Sequence, residues 1–215
     1  MQILTIYRWN FTNADMFVLS DYIQELNSVF PELQTIDPWS IPALIEQTLI
    51  KRLQVLGNEF SINGLTAVHK SARVEDHVMF KGPVIVSEGC FIGAHAYIRG
   101  GVYLGEQTVI GPGCEVKSTI IMRNSALAHF NFVGDSLVGS GVNMEAGSII
   151  ANHFNEREDK TIHAMIDGKK TPLPVTKFGA IVGDGTKIGA NAVLTPGTLL
   201  APSSVVKRLE LIEQC

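Results

Sequence analysis

The sequence predicts an all-β fold, a parallel β-helix with a small N-terminal helical element, on three observations. Nine aliphatic or aromatic residues, Val68, Val74, Phe80, Val86, Ile92, Ile98, Leu104, Ile110 and Val116, stand six residues apart without a gap. Four residues after each of the first eight comes a small or β-branched side chain: Ala72, Val78, Val84, Cys90, Ala96, Val102, Thr108 and Cys114. Gly93, Gly105, Gly111 and Gly139 directly follow members of the six-residue series, where a crowded turn favours a residue without Cβ. A six-residue period fits neither the 3.6-residue helix nor strand alternation and marks a repeat architecture. Each hexapeptide supplies a short strand and a turn, three make one coil, and both sets of side chains point inward into a continuous core.

Residues 1–60 are of another kind. Between Asn13 and Phe30 the apolar positions Met16, Phe17, Leu19, Tyr22, Ile23, Leu26 and Val29 follow helical spacing, with Thr12 or Asn13 as the cap. A second helix is predicted after Trp39, where Ser40 and Pro42 form a start signal and an apolar stripe runs to Gly57. This segment is expected to be a cap or docking element on the β-helix, the alternative being a linker remnant. The β-helix is assigned to residues 61–208. After Val116 the inward series continues as Ile121, Leu127, Val133, Val138, Met144 and Ile150, with two five-residue steps that bracket His129. Residues 152–177 abandon the period and are polar from Asn155 to Lys160, predicting a protruding loop. The series resumes at Val182, Ile188, Leu194, Leu200 and Val206, and residues 209–215 form a tail expected to add a helical turn.

A chain of 215 residues with 46% hydrophobic content can hold one sizeable domain plus an appendage. A net charge of −4 gives no electrostatic case for nucleic acid as a partner. No run of about 18 apolar residues and no secretory-leader pattern is present, so a soluble cytoplasmic protein without a membrane partner is expected. Cys90 and Cys114 occupy inward positions as small apolar residues and Cys215 is terminal, which argues against a disulfide framework. His69, His77, His95 and His163 read as surface or loop residues, and no metal site is predicted.

The stretch Leu127-Ala128-His129-Phe130-Asn131-Phe132-Val133-Gly134-Asp135, followed by Val138 to Asn152 with Val142-Asn143-Met144-Glu145-Ala146-Gly147-Ser148, carries a more specific resemblance. It is similar to the acetyltransferase domain of the bifunctional enzyme that makes UDP-N-acetylglucosamine, one of the hexapeptide-repeat transferases, and to the C-terminal domains of archaeal sugar-1-phosphate nucleotidyltransferases. The resemblance covers roughly residues 68–206. It implies a left-handed β-helix and a homotrimer with sites between subunits. It also implies acetyl-CoA as co-substrate for N-acylation of an amino sugar phosphate, such as glucosamine 1-phosphate, or of a sugar nucleotide. His129 falls on the family's general base, a role suited to an imidazole that is neutral near pH 7. Arg99 and Lys117 fall on the two cations that hold the sugar phosphate, Arg by a bidentate fork and Lys as a point charge. Their 18-residue separation predicts vertical neighbours on consecutive coils. Phe132, Asn143, Asn152 and His153 fall on substrate-binding positions, and Ala146 and Ala190 on the acyl-donor side.

Four residues depart from the family pattern. Phe132 and His153 each replace a Tyr, Glu145 replaces a Gly, and Ala190 replaces a Ser. If that face carries the coenzyme phosphates, Glu145 is expected to oppose their binding, and with Ala190 this puts the acyl-donor half of the site in question while the sugar-phosphate half looks largely intact. The competing reading is a non-catalytic β-helix that binds sugar phosphate or serves as a scaffold. In it His129 is an ordinary surface residue, Arg99 a solvated charge, and Asn143 and Asn152 turn caps. Sixty N-terminal residues are too few for a nucleotide-binding domain and carry no Gly-rich loop, so nucleotidyl transfer by this chain is not expected. No His pair matches the zinc site of β-helical carbonic anhydrases.

Overall fold

The computed structural model describes residues 17–215. Three stacks of short parallel strands form the faces of a triangular left-handed β-helix. The first face runs through Thr66–His69, Val84–Val86, residues 102–104, residues 119–121, Leu137–Val138, Ala180–Val182 and Thr198–Leu200. The second comprises Arg73–Val74, Phe91–Ile92, Val109–Ile110, Ala126–Leu127, Asn143–Met144, Lys187–Ile188 and Val205–Val206. The third comprises Met79–Lys81, residues 97–99, residues 115–117, Phe132–Gly134, Ile149–Ile150, Val193–Leu194 and Leu211–Ile212.

The six-residue series forms the core as expected: Val86, Ile92, Ile98, Leu104, Ile110 and Val116 are fully buried in one cluster, with Val84, Cys90, Ala96, Val102 and Cys114 filling between them. Val74 departs from this. It is 36% exposed, because it lies in the first coil and has no further coil beneath it. The glycines after the series residues answer to the coil stacked next door. A Cβ on Gly93 would stand 2.6 Å from the Pro112 nitrogen, and one on Gly111 would overlap the Ala128 carbonyl oxygen.

The first face is buried on both sides. Its outward residues Ala67, Ile85, Ile120, Leu137, Ile181 and Leu199 join a second apolar cluster with the N-terminal segment. In that segment the helix expected after Trp39 is present as α1 (Ile41–Leu53), with Pro42 in its first turn. Ser40 makes no capping bond, and helical geometry ends four residues before Gly57. Ile45, Leu49 and Leu53 of α1 are buried, and its Ile45–Glu46 stretch lies against Gly101, where a Cβ would stand 2.8 Å from Ile45 Cγ2.

The single helix expected between Asn13 and Phe30 is not formed. Residues 13–16 lie outside the described residues, and the rest is a 3₁₀ turn at Leu19–Asp21 and one α-turn at Leu26–Val29. The backbone is engaged elsewhere: Tyr22 O accepts the Asp184 N–H at 2.9 Å, and the Gln24 N–H donates to Asp184 Oδ2 at 3.1 Å. Groups bound to a coil corner cannot also propagate an i→i−4 ladder.

The loop expected to protrude is folded and packed. Antiparallel strands His163–Ile166 and Lys169–Pro172 form a hairpin closed by Asp167 and Gly168, both at positive φ. Ile162, Ala164, Ile166, Leu173 and Phe178 bury one side of this arm in the cluster over the first face. The tail is likewise not helical; Leu211–Ile212 adds a last strand, paired to Val193–Leu194. Among the described residues no helix is long and apolar enough to cross a membrane.

Candidate functional site

Arg99 and Lys117 are register partners on adjacent strands of the third face. Each cation already has a carboxylate. Arg99 Nε lies 2.8 Å and Nη2 2.6 Å from Glu115 Oε1, and Lys117 Nζ lies 2.8 and 2.7 Å from the two oxygens of Asp135. Lys117 and Asp135 side chains are only 16% and 9% exposed. The buried Asn152 donates its amide to Asp135 Oδ2, and its Oδ1 lies 3.1 Å from His153 Nδ1. Five expected residues, Arg99, Lys117, Phe132, Asn152 and His153, therefore share the end of one face where the coil turns toward the first. Gly134 makes the close approach possible: its missing Cβ would stand 2.8 Å from Phe132 Cζ and 2.9 Å from Asn152 Nδ2.

Asp135 and Glu115 hold the two expected cations without having been singled out from the sequence. Glu115 lies two residues before Lys117, so strand alternation places both on the outer side of the third face. Asp135 sits at φ +46 in the corner created by one of the five-residue steps. Its backbone carbonyl accepts the Gly179 N–H at 2.9 Å, which brings the returning end of the arm to the same corner.

His129 lies at the other edge of the third face, in the corner leading from the second. It is exposed, and among the described residues its imidazole has no hydrogen-bond or ion-pair partner. Ala146 and Ala190 occupy the same corner on the next two coils, linked by Gly147 N–H to His129 O at 2.8 Å and Asn191 N–H to Ala146 O at 3.0 Å. A strand of Phe132–Gly134 length and its turns separate this corner from Asp135, about 15 Å at the rise of an extended chain. One chain alone thus does not bring His129 to the Arg99–Lys117 pair.

Asn143 points outward from the second face and lines a groove of about 570 Å³ with Glu145, Lys187, Val205 and Arg208. Glu145 is not the unopposed charge that the sequence suggests. Arg208 donates Nε to Oε2 at 2.7 Å and Nη2 to Oε1 at 2.9 Å, and the Ala190 N–H donates to Oε2 at 2.9 Å. The Arg208 guanidinium, helped by the Ala190 amide, lowers the Glu145 carboxyl to about 2. Glu75 makes the corresponding contact with the Ala94 N–H at 3.0 Å near the other end of the β-helix, so a carboxylate on a corner amide recurs in this fold.

Residues 80–168 match the family model of the GMPPB C-terminal domain, and residues 175–200 match the hexapeptide repeat of succinyl-transferase. The chain is built of hexapeptide repeats. It is 33% identical to a bifunctional protein GlmU of Methanococcus vannielii, a match covering 92% of this chain and 55% of that protein. It is 32% identical to a bifunctional sugar-1-phosphate nucleotidylyltransferase/acetyltransferase of Sulfurisphaera tokodaii, covering 70% of this chain and 43% of that protein. The chain thus spans about half the length of these hexapeptide-repeat relatives. A solved perosamine N-acetyltransferase from Caulobacter crescentus, in complex with CoA and GDP-perosamine, is 18% identical, covers 80% of this chain and 73% of that one, and superimposes with a TM-score of 0.33.

Proposed function

We propose that the chain is an acyl-CoA-dependent N-acyltransferase acting on an amino sugar phosphate or a sugar nucleotide, and that it works as a homotrimer. The observation that supports this reading is the pair of cations in register, Arg99 and Lys117, flanked by Asn152 and Phe132. Arg99 is partly exposed and Lys117 is nearly enclosed with Asp135, and a phosphate entering this corner would exchange the carboxylate contacts of both cations for its own. The sugar amine attacks the thioester carbonyl while His129 takes the proton from nitrogen. Collapse of the tetrahedral intermediate expels the thiolate, which takes that proton from the imidazolium to leave as the thiol. The exposed His129 imidazole, without an intramolecular partner, is free to approach an amine held by a neighbouring subunit. Among the described residues the Ala146 N–H has no acceptor and is placed to polarise a thioester carbonyl in the same corner.

The test is thiol release from acetyl-CoA with glucosamine 1-phosphate as acceptor. His129→Ala is expected to lower the rate by at least ~100-fold, the lower end of general-base contributions. One feature favours the non-catalytic reading: Glu145 already occupies the Ala190 N–H and pairs with Arg208. Calorimetry that finds sugar phosphate bound and acetyl-CoA not bound would establish that second reading in place of the first.

A further inference from the structure

We propose that the acceptor is a nucleotide-linked amino sugar, and that the base of the arm binds its nucleoside diphosphate portion; this rests on the acyltransferase reading and chooses between its two acceptor classes. The coil from Ile150 to Leu194 takes 44 residues where an uninterrupted coil such as Ile188 to Val206 takes 18. The extra chain leaves and rejoins the β-helix next to the sugar-phosphate corner. The Phe178 N–H donates to Asn152 O at 2.9 Å, and the Leu173 N–H donates to Ile162 O at 2.8 Å.

At this base lies a pocket of about 630 Å³. That is within the range of about 300–1,000 Å³ typical of small-molecule sites. His153, Glu158, Lys160, Leu173, Val175 and Lys177 line it. His153 is also the residue bonded to Asn152, so the pocket opens beside the corner that holds Lys117 and Asp135. The lining has the parts that such a ligand needs. Lys160 and Lys177, without ion-pair partners among the described residues, supply charge for a diphosphate. Val175, packed against the second apolar cluster, and the exposed Pro174 beside it offer a surface for a base. Glu158 can accept hydrogen bonds from ribose hydroxyls, as acidic residues do in dinucleotide sites. The other carboxylate, Asp159, is turned back on Thr161, whose hydroxyl and then N–H, the latter at 2.9 Å, lower the Asp159 pKa and take one of its oxygens out of the pocket.

The experiment is calorimetric titration of the full chain with UDP, GDP and dTDP, and separately with glucosamine 1-phosphate, on the wild type and on Lys160→Ala/Lys177→Ala. At least one nucleoside diphosphate is expected to bind, and the double variant to weaken it by ~10-fold or more while glucosamine 1-phosphate affinity changes less than about twofold. A far-ultraviolet circular dichroism spectrum and melting temperature matching the wild type report that the variant is folded. The proposal is overturned if no nucleoside diphosphate binds below about millimolar, or if binding is the same in the double variant. Failure of the acyltransferase reading shows elsewhere, as absence of thiol release with every acceptor, so the two failures are distinguishable.

Discussion

At Lys117 the ammonium is held between both oxygens of Asp135 in a site largely closed to water, and removal of the cation leaves a carboxylate there with only the Asn152 amide. Lys117→Ala is therefore expected to cost roughly 3 kcal/mol in chemical denaturation, at the low end for breaking a buried pair. If the orphaned charge is the cause, Lys117→Ala/Asp135→Asn will be more stable than Lys117→Ala alone; a simple loss of packing would make the double variant worse. Glu145 carries a pH dependence. Its carboxyl titrates at about 2 in the folded protein against an ordinary 4.5, so the contact stabilises above about pH 4.5 and is lost as pH falls through that window toward 2. The melting temperature of the wild type should fall more steeply between pH 5 and 2 than that of Glu145→Gln, and equal slopes would show that solvent screens the contact completely. The chemistry-bearing residue types were readable from the motif around His129. Their partners were not: Glu145 and Arg208 are 63 residues apart across the arm, and Asp135 meets Asn152 only because a shortened corner turns it inward.

Coil stacking and arm packing make separate demands on the elements. Gly111→Ala inserts a methyl into the Ala128 carbonyl of the next coil and is expected to destabilise by about 3 kcal/mol, the upper part of the overpacking range. Gly64→Ala, at φ +58 with nothing within 4 Å of the added carbon, should cost only about 1–2 kcal/mol from backbone conformation. A pair of denaturation curves decides whether coil contact or dihedral preference dominates. Phe178→Ala, which empties the junction of arm and first face, should cost about 3–5 kcal/mol. The arm's fold had a signal in the sequence: Asp167-Gly168 is a hairpin turn pair, and Ile162, Ala164 and Ile166 stand two residues apart before it, although the polar run from Asn155 to Lys160 masks it. The covered face was legible as well. Ile85, Tyr103, Ile120, Leu137, Ile181 and Leu199 put an apolar residue on the outer side of its strands beside the inward ones, as in strands buried on both sides. The N-terminal segment was misread because apolar spacing reports which side is buried and not whether the backbone is bonded to itself or to Asp184.

Over the whole molecule, the two groups of site residues lie at opposite edges of one face, so in the proposed trimer each site would draw on two subunits. His129→Ala and Lys117→Ala subunits, each inactive alone, should regain about a quarter of wild-type activity when unfolded together and refolded as mixed trimers, since one neighbouring pair in four then carries both intact residues. No recovery would place the whole reaction within one chain. The architecture as a whole was the most readable level, because a repeat writes each of its contacts many times; what the period cannot carry is the single event, such as one insertion or one short corner. The insertion has a further consequence for behaviour in solution. It leaves every later coil in register and, with α1, lies over a stripe of Ile181, Leu199 and their neighbours running the length of the solenoid. Excising the arm would leave the β-helix able to wind but would bare a long oily strip, so shortened forms of this protein should tend to self-associate.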